Sequence, residues 1–101
     1  MPKVKKMKIK VRYFTTLREL ARTMEEEIEM ENGTTLVDLL GKIVLKYGEA
    51  AFNYLYDRKN GAIDPSIQFL VNGVSIRNLQ GIRTELKDGN VVAIVPPIGG
   101  G

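Results

Sequence analysis

The chain reads as an α+β domain: a mixed sheet of four to five strands packed on one principal helix, with one or two short helices. Three observations point there. Lys8-Ile9-Lys10-Val11-Arg12-Tyr13 and the stretch from Glu26 to Glu31 alternate polar and apolar residues, as half-buried strands do. Leu36, Leu39, Leu40, Ile43, Val44 and Tyr47 recur at helical spacing. Val91-Val92-Ala93-Ile94-Val95 is continuously apolar, the pattern of a central strand.

In chain order, the first strand turns Ile9, Val11 and Tyr13 toward the core. Thr16-Leu17-Arg18-Glu19 reads as a capping box, a hydroxyl followed three residues later by a carboxylate. It opens a short helix from Thr16 to about Thr23, with Leu17, Leu20, Ala21 and Met24 on one stripe. The acidic second strand suits a sheet edge, with Ile28 and Met30 inward and Asn32-Gly33 closing it. Thr35 caps the main helix with Asp38 at its start, and Gly48 ends it. Gly41 inside that helix costs about 1 kcal/mol relative to alanine, which suggests close packing against the sheet. Ala51, Phe52, Leu55 and Tyr56 form a further helical turn or two, with Phe52 and Tyr56 in the core rather than in a partner-binding patch with Tyr54. Asp57 to Pro65 is an exposed loop marked by Asn60-Gly61 and Asp64-Pro65. Gln68 to Val71 is a strand, and Asn72-Gly73 turns it into Val74-Ser75-Ile76. Gly81 to Leu86 is an irregular or 3₁₀ crossing, and Lys87 to Asn90 turns into the last strand. Pro96 and Pro97 stop that strand, since neither donates a backbone N–H. First and last strands side by side, parallel and central, would send the chain end out of the middle of the sheet.

Composition narrows the chemistry. With 101 residues this is one domain with a single modest core. No apolar run approaches the ~20 residues that span a bilayer, and no apolar core of a signal peptide follows the basic N-terminus, so a cytoplasmic protein is expected. The first six residues hold three lysines and no acid, and without them 12 basic and 12 acidic residues remain. A basic leader on a neutral body argues against a nucleic-acid surface. Met7 reads as the natural start, giving an extension over 1–6, a domain over 7–97 and a flexible glycine tail over 98–101. There is no Cys and no His, which excludes thiolate nucleophiles, disulfides, zinc-thiolate sites and imidazole bases. Ser66 and Ser75 have no histidine to activate them. Glu25-Glu26-Glu27 is a solvated acidic stretch rather than a cation site. The chain alone is not expected to be an enzyme, and no metal is expected.

The tail Val95-Pro96-Pro97-Ile98-Gly99-Gly100-Gly101 carries the functional reading. Glycines present no side chain, so the reactive group at the tip is the terminal carboxylate, and the segment is thin enough for a narrow channel. Six residues at about 3.3 Å each let Gly101 reach roughly 20 Å from the sheet. A frayed terminus is the plainer alternative.

Together, Val11-Arg12-Tyr13-Phe14 leading into Leu17-Arg18-Glu19-Leu20-Ala21, Val71-Asn72-Gly73, Leu86-Lys87-Asp88-Gly89 with Val91-Val92-Ala93-Ile94, and the Pro96-to-Gly101 tail resemble the small subunit of molybdopterin synthase. The resemblance covers Met7 to Gly101. The basic leader is extra, and the stretch from about Gly48 to Pro65 is longer than in the shortest members. The helix near Thr16 distinguishes the chain from the shorter thiamine-pathway carriers. The resemblance implies a ubiquitin-like β-grasp fold and a sulfur carrier with no bound cofactor. A ubiquitin-activating-type enzyme would use ATP to adenylate Gly101, and a sulfur donor would convert it to a thiocarboxylate. The tail (Pro97, Ile98, Gly99, Gly100 and Gly101) would then enter the large synthase subunit to build the dithiolene of the molybdenum cofactor. Phe14 and Leu70 are candidate interface residues; no nucleic acid or membrane is implied. The same adenylation precedes two alternatives, a ubiquitin-like protein modifier and a sulfur donor for tRNA thiolation. A binding module with an inert tail is the third.

Overall fold

The computed structural model describes residues 5–97. Strand β1 (Lys6–Tyr13) leads through helix α1 (Thr15–Ala21) to β2 (Glu25–Glu31), then α2 (Leu36–Tyr47) and α3 (Glu49–Leu55). The chain returns as β3 (Gln68–Val71) and β4 (Val74–Ser75), makes two 3₁₀ turns at Ile76–Asn78 and Gly81–Arg83, and ends in β5 (Val91–Val95). The sheet order is β2-β1-β5-β3-β4, with β1 and β5 parallel and the other neighbours antiparallel. This is the expected α+β arrangement, and the acidic β2 lies at an edge.

Period-2 alternation sorts the side chains onto two faces. Met7, Ile9, Val11 and Tyr13 of β1, Ile28 and Met30 of β2, Phe69 and Val71 of β3, and Val92 and Ile94 of β5 are all buried on one face. Helix α2 covers that face with Leu36, Leu39, Leu40 and Ile43, each fully buried. Burying a side chain of this kind contributes about 1.5–3 kcal/mol. Thr35 and Asp38 form the expected capping box, and Asp38 Oδ2 accepts from the Thr35 N–H at 2.9 Å. Gly48 ends α2 and starts α3 at φ +82°, a backbone that side chains disfavour. Asn72 (φ +51°) and Gly73 (φ +81°) make the hairpin turn, and Asn72 Oδ1 accepts from Val91 N at 2.8 Å, tying that turn to β5.

The opposite face carries opposed charge. Pairing sets Lys6, Lys8, Lys10 and Arg12 of β1 against Glu31, Glu29, Glu27 and Glu25 of β2. Ion pairs run from Lys6 to Glu29 at 3.4 Å, from Lys10 to Glu25 at 3.7 Å and from Arg12 to Glu25 at 3.3 Å. Exposed pairs are worth little individually. Their effect is on register, because a one-residue slip would send Ile28 and Met30 to solvent. Strand β1 begins at Lys6, one residue before Met7.

Several local expectations are corrected. Helix α1 starts at Thr15, with Phe14 at its N-cap and no side-chain cap, so Thr16 and Glu19 both lie inside the helix. The cause is the direct join to β1: Tyr13 N is held by Met24 O at 2.9 Å, so the N-cap position falls on Phe14, whose side chain has no acceptor to offer. Arg22, in the left-handed region at φ +60°, ends the helix with its N–H on Arg18 O, and Met24 falls outside it, 66% exposed. Gly41 meets no heavy atom within 4 Å of an added Cβ, so close packing is not its reason. Phe52 is exposed and stacks on Tyr56 at 4.9 Å, whereas Tyr54 turns inward with its hydroxyl buried and unpaired.

The three consecutive glutamates divide between the faces. Glu25 pairs with Arg12 and Glu27 stands opposite Lys10, while Glu26 sits opposite Val11 on the helix side. There Glu26 accepts from the Tyr13 hydroxyl at 2.6 Å and from Tyr47 and Lys46. Partial burial opposes its charge, but these donors outweigh burial and hold its carboxyl below the usual value. Burial first, and then the Glu26 hydrogen bond, push the Tyr13 hydroxyl pKa upward.

Gly41→Ala is expected to stabilise the domain by about 0.5–1 kcal/mol, because only helix propensity changes; thermal melts read it, and a lowered Tm would restore the packing role. Glu26→Gln is expected to destabilise by about 1–2 kcal/mol near neutral pH by weakening charged hydrogen bonds. Glu26 has a depressed native pKa, so its contribution is present above the unfolded value of 4.5 and lost as pH falls through the native one. Denaturant titrations should therefore show wild type and Glu26→Gln converging in acid, and a constant gap would rule out the linkage.

Candidate functional site

The tail leaves from the centre of the sheet. Strand β5 is held on one side by β1, from Lys10↔Val91 to Tyr13↔Ile94, and on the other by β3, from Val71↔Val92 to Gln68↔Val95. Its start is clamped as well: Lys8 donates its N–H to Asp88 Oδ1 at 2.8 Å, and Lys10 N to Asn90 O at 2.9 Å. Pro96 and Pro97 follow, half-buried and outside any strand. They remove two donors where a ladder would otherwise continue, and their fixed φ stiffens the exit. A segment beyond Pro97 thus follows a strand that is paired on both sides. The candidates Ile98, Gly99, Gly100 and Gly101 lie outside the described residues.

The exit is flanked by the other candidates. Leu70 stands in one lateral row with Ala93, Arg12 and Glu25, on the face away from the helices. Phe14 follows Tyr13 in extended conformation and is 39% exposed. Alternation places it on that same face, one row nearer the tail and next to Val95. Leu70, Ala93 and Val95 are half-buried, so Phe14 and Leu70 border an apolar strip along β5 that points toward Pro96. Neighbouring side chains across such rows stand about 4.5–5.5 Å apart. Ala93 and Val95 were absent from the sequence-derived site; the apolar strand itself was the signal, because a strand with one covered face needs no valine on the other.

On the helix side of the same exit lies a cleft of about 460 Å³ between the loop preceding β3 and the 3₁₀ turns after β4. Ile67 and Ile76 are its buried floor, Ile63 is half-buried and Ile82 is 39% exposed. Pro65 and Arg77 face one another across it, with a long 3.5 Å contact from Arg77 Nη2 to Pro65 O.

Among the described residues, no cluster of acidic side chains is arranged to hold a metal ion, and no helix is long and apolar enough to cross a membrane. The arrangement presents a chain segment between two apolar surfaces.

Comparison with known proteins matches this geometry. The model of the ThiS family matches residues 11–101. The molybdopterin synthase sulfur carrier subunit of Chlamydomonas reinhardtii is 35% identical over 95 residues, covering 94% of this chain and all of that one. Small archaeal modifier protein 3 of Haloferax volcanii is 30% identical over 95 residues, with the same coverage. The solution structure of small archaeal modifier protein 1 from Methanosarcina acetivorans superposes with a TM-score of 0.79 at 33% identity, covering 96% of this chain and 99% of that one. With the match spanning the sheet and the tail, the chain belongs to the ThiS family, as a β-grasp protein of the sulfur-carrier and ubiquitin-like modifier type.

Proposed function

We propose that this chain carries sulfur as a thiocarboxylate on Gly101 and delivers it to the large subunit of a molybdopterin synthase. The observation that supports this best is the placement of the exit: β5 is central, paired on both sides, and stopped by two prolines immediately before Ile98. A tail on such a base reaches a partner's active site without moving the fold. The 35% identical molybdopterin synthase sulfur carrier subunit supports the choice of acceptor.

The chemistry belongs to the partners. A ubiquitin-activating-type enzyme joins the Gly101 carboxylate to AMP, releasing pyrophosphate from ATP, and a sulfur donor then displaces AMP. The carrier binds no cofactor in this reading; it supplies a carboxylate, reach and a docking surface. Glycines lose much backbone entropy on ordering, so the acceptor channel holds Gly99 and Gly100 through backbone hydrogen bonds. Phe14 and Leu70, with Ala93 and Val95 between them, form the docking surface on the open face. The cycle takes place in the cytoplasm.

A second reading is supported by the 30% identical small archaeal modifier protein: Gly101 is joined to lysines of target proteins after the same adenylation. Sulfur delivery to tRNA also shares that step. Fate of the activated tail separates them. Intact-mass measurement after reconstitution with adenylating enzyme, ATP and sulfur donor should show an oxygen-to-sulfur increase. Large subunit and precursor pterin should then consume that species, whereas conjugates of higher mass would favour the modifier.

Deleting Gly101, or amidating its carboxylate, is expected to leave the thermal melt unchanged and abolish sulfur loading. An amidated chain that still loads sulfur would overturn the proposal. Phe14→Ala and Leu70→Ala are expected to weaken large-subunit binding by about tenfold each while preserving the fold, as titration calorimetry would show; wild-type affinity in both would remove the open face from the interface.

A further inference from the structure

Sulfur delivery through the tail and the open face leaves the cleft on the helix side of the exit without a role. Its lining is predominantly apolar, and Ile82 on its rim is 39% exposed. Ile63, Ile67 and Ile76 add three more branched side chains. Such a concave apolar surface suits a buried anchor side chain from another protein.

Its charge is unbalanced. Among the described residues, no carboxylate forms an ion pair with Arg77 in the wall or with Arg83 beside Ile82. Asp64, the acidic residue of the lining, is turned back on its own loop, where Oδ1 accepts from the Ser66 N–H at 2.9 Å and the Ser66 hydroxyl at 2.7 Å. The cleft therefore offers apolar contact beside a guanidinium that meets the Pro65 carbonyl but, among the described residues, no carboxylate, complementary to an apolar side chain next to a carboxylate.

Position supplies the third argument. Gln68, the first residue of β3, pairs with Val95, the last of β5, so the exit leaves the sheet beside the turn that precedes β3, where Ile67 donates its N–H to Asp64 O at 3.2 Å. The exit thus runs past the wall that ends in Pro65. Four residues at about 3.3 Å each carry Gly101 at most about 13 Å beyond Pro97. An enzyme whose active site closes on that carboxylate brings its surface close to the exit, beside which the cleft opens.

We propose that this cleft is a second docking surface, which seats an apolar side chain and adjoining carboxylate of the adenylating enzyme that accepts the tail. The enzyme then grips the exit from both sides, the open-face strip on one and the cleft on the other. The proposal rests on the reading of residues 98–101 as a tail that is adenylated.

The test is steady-state adenylation of the full chain by its adenylating enzyme and ATP, with pyrophosphate release as readout. Ile82→Glu and Arg77→Glu alter exposed side chains, and circular dichroism verifies their fold; Leu45→Glu, on the outer surface of α2 at 86% exposure, is the control. Each cleft variant is expected to raise KM for the carrier about tenfold, with kcat within about twofold and the control unchanged. Unchanged KM in either cleft variant, with wild type adenylated, overturns the cleft proposal alone. Failure of wild type to be adenylated overturns both this and the tail reading. Methyl NMR signals of Ile63, Ile67 and Ile76 that move when residues 98–101 are deleted from the free chain would make the tail itself the occupant, and would also overturn it.

Discussion

The parallel pairing of β1 with β5 is the constraint from which the rest of the structure follows. It joins Lys10 to Val91 and Tyr13 to Ile94, residues near opposite ends of the chain. Closing a loop of that length costs roughly 4 kcal/mol in chain entropy beyond a constant term. Burial of Val11, Tyr13, Val92 and Ile94 offsets it, at about 1.5–3 kcal/mol per side chain. Because the pairing is parallel, the end of β5 lies beside the end of β1, and both point away from the clamp formed by Lys8, Asp88 and Gly89. The segment after Val95 thereby leaves from a strand held on both sides.

In the proposed reading the partners make and break the bonds, and the fold supplies reach and recognition. The sheet meets this by dividing its faces unevenly. Toward β2 the open face is a ladder of opposed charges, which resists edge pairing with other chains. Toward β3 it becomes the apolar strip of Leu70, Ala93 and Val95. Apolar surfaces thus gather around the exit, while the far edge is polar.

Much of this was legible along the chain. Period-2 alternation located β1 and β2 and named their inward residues; the apolar stripe and the Thr35–Asp38 box located α2 closely. Asn72-Gly73 signalled its turn because few other pairs tolerate positive φ at both positions. The expectations that failed share a cause, in that neighbours distant along the chain decide each of them. Thr16 has the residue types of a capping box, yet Tyr13 bonds Met24 and the helix starts earlier. Gly41 suggested a close approach, but its surroundings are open. Glu26 reads as one solvated acid among three, and its role emerges only when Tyr13 and Tyr47 converge on it from different elements. Phe52 and Tyr54 exchange their expected surroundings in a helix that packs on both α1 and α2, Phe52 stacking on Tyr56 at the surface and Tyr54 packing against the core.

Local pattern thus determined the main elements, the inward residues of the strands and of α2, the apolar run of β5 and the glycine tail, since those depend on backbone propensity and side-chain periodicity within a few residues. Tertiary structure decided what stands around the exit: Phe14 and Leu70 on one side, the isoleucine-lined cleft with Arg77 on the other. Those groups are separated by tens of residues, and only the register of β5 between β1 and β3 brings them to one end of the sheet, because hydrogen-bonded pairing sets lateral neighbours that no sequence interval encodes.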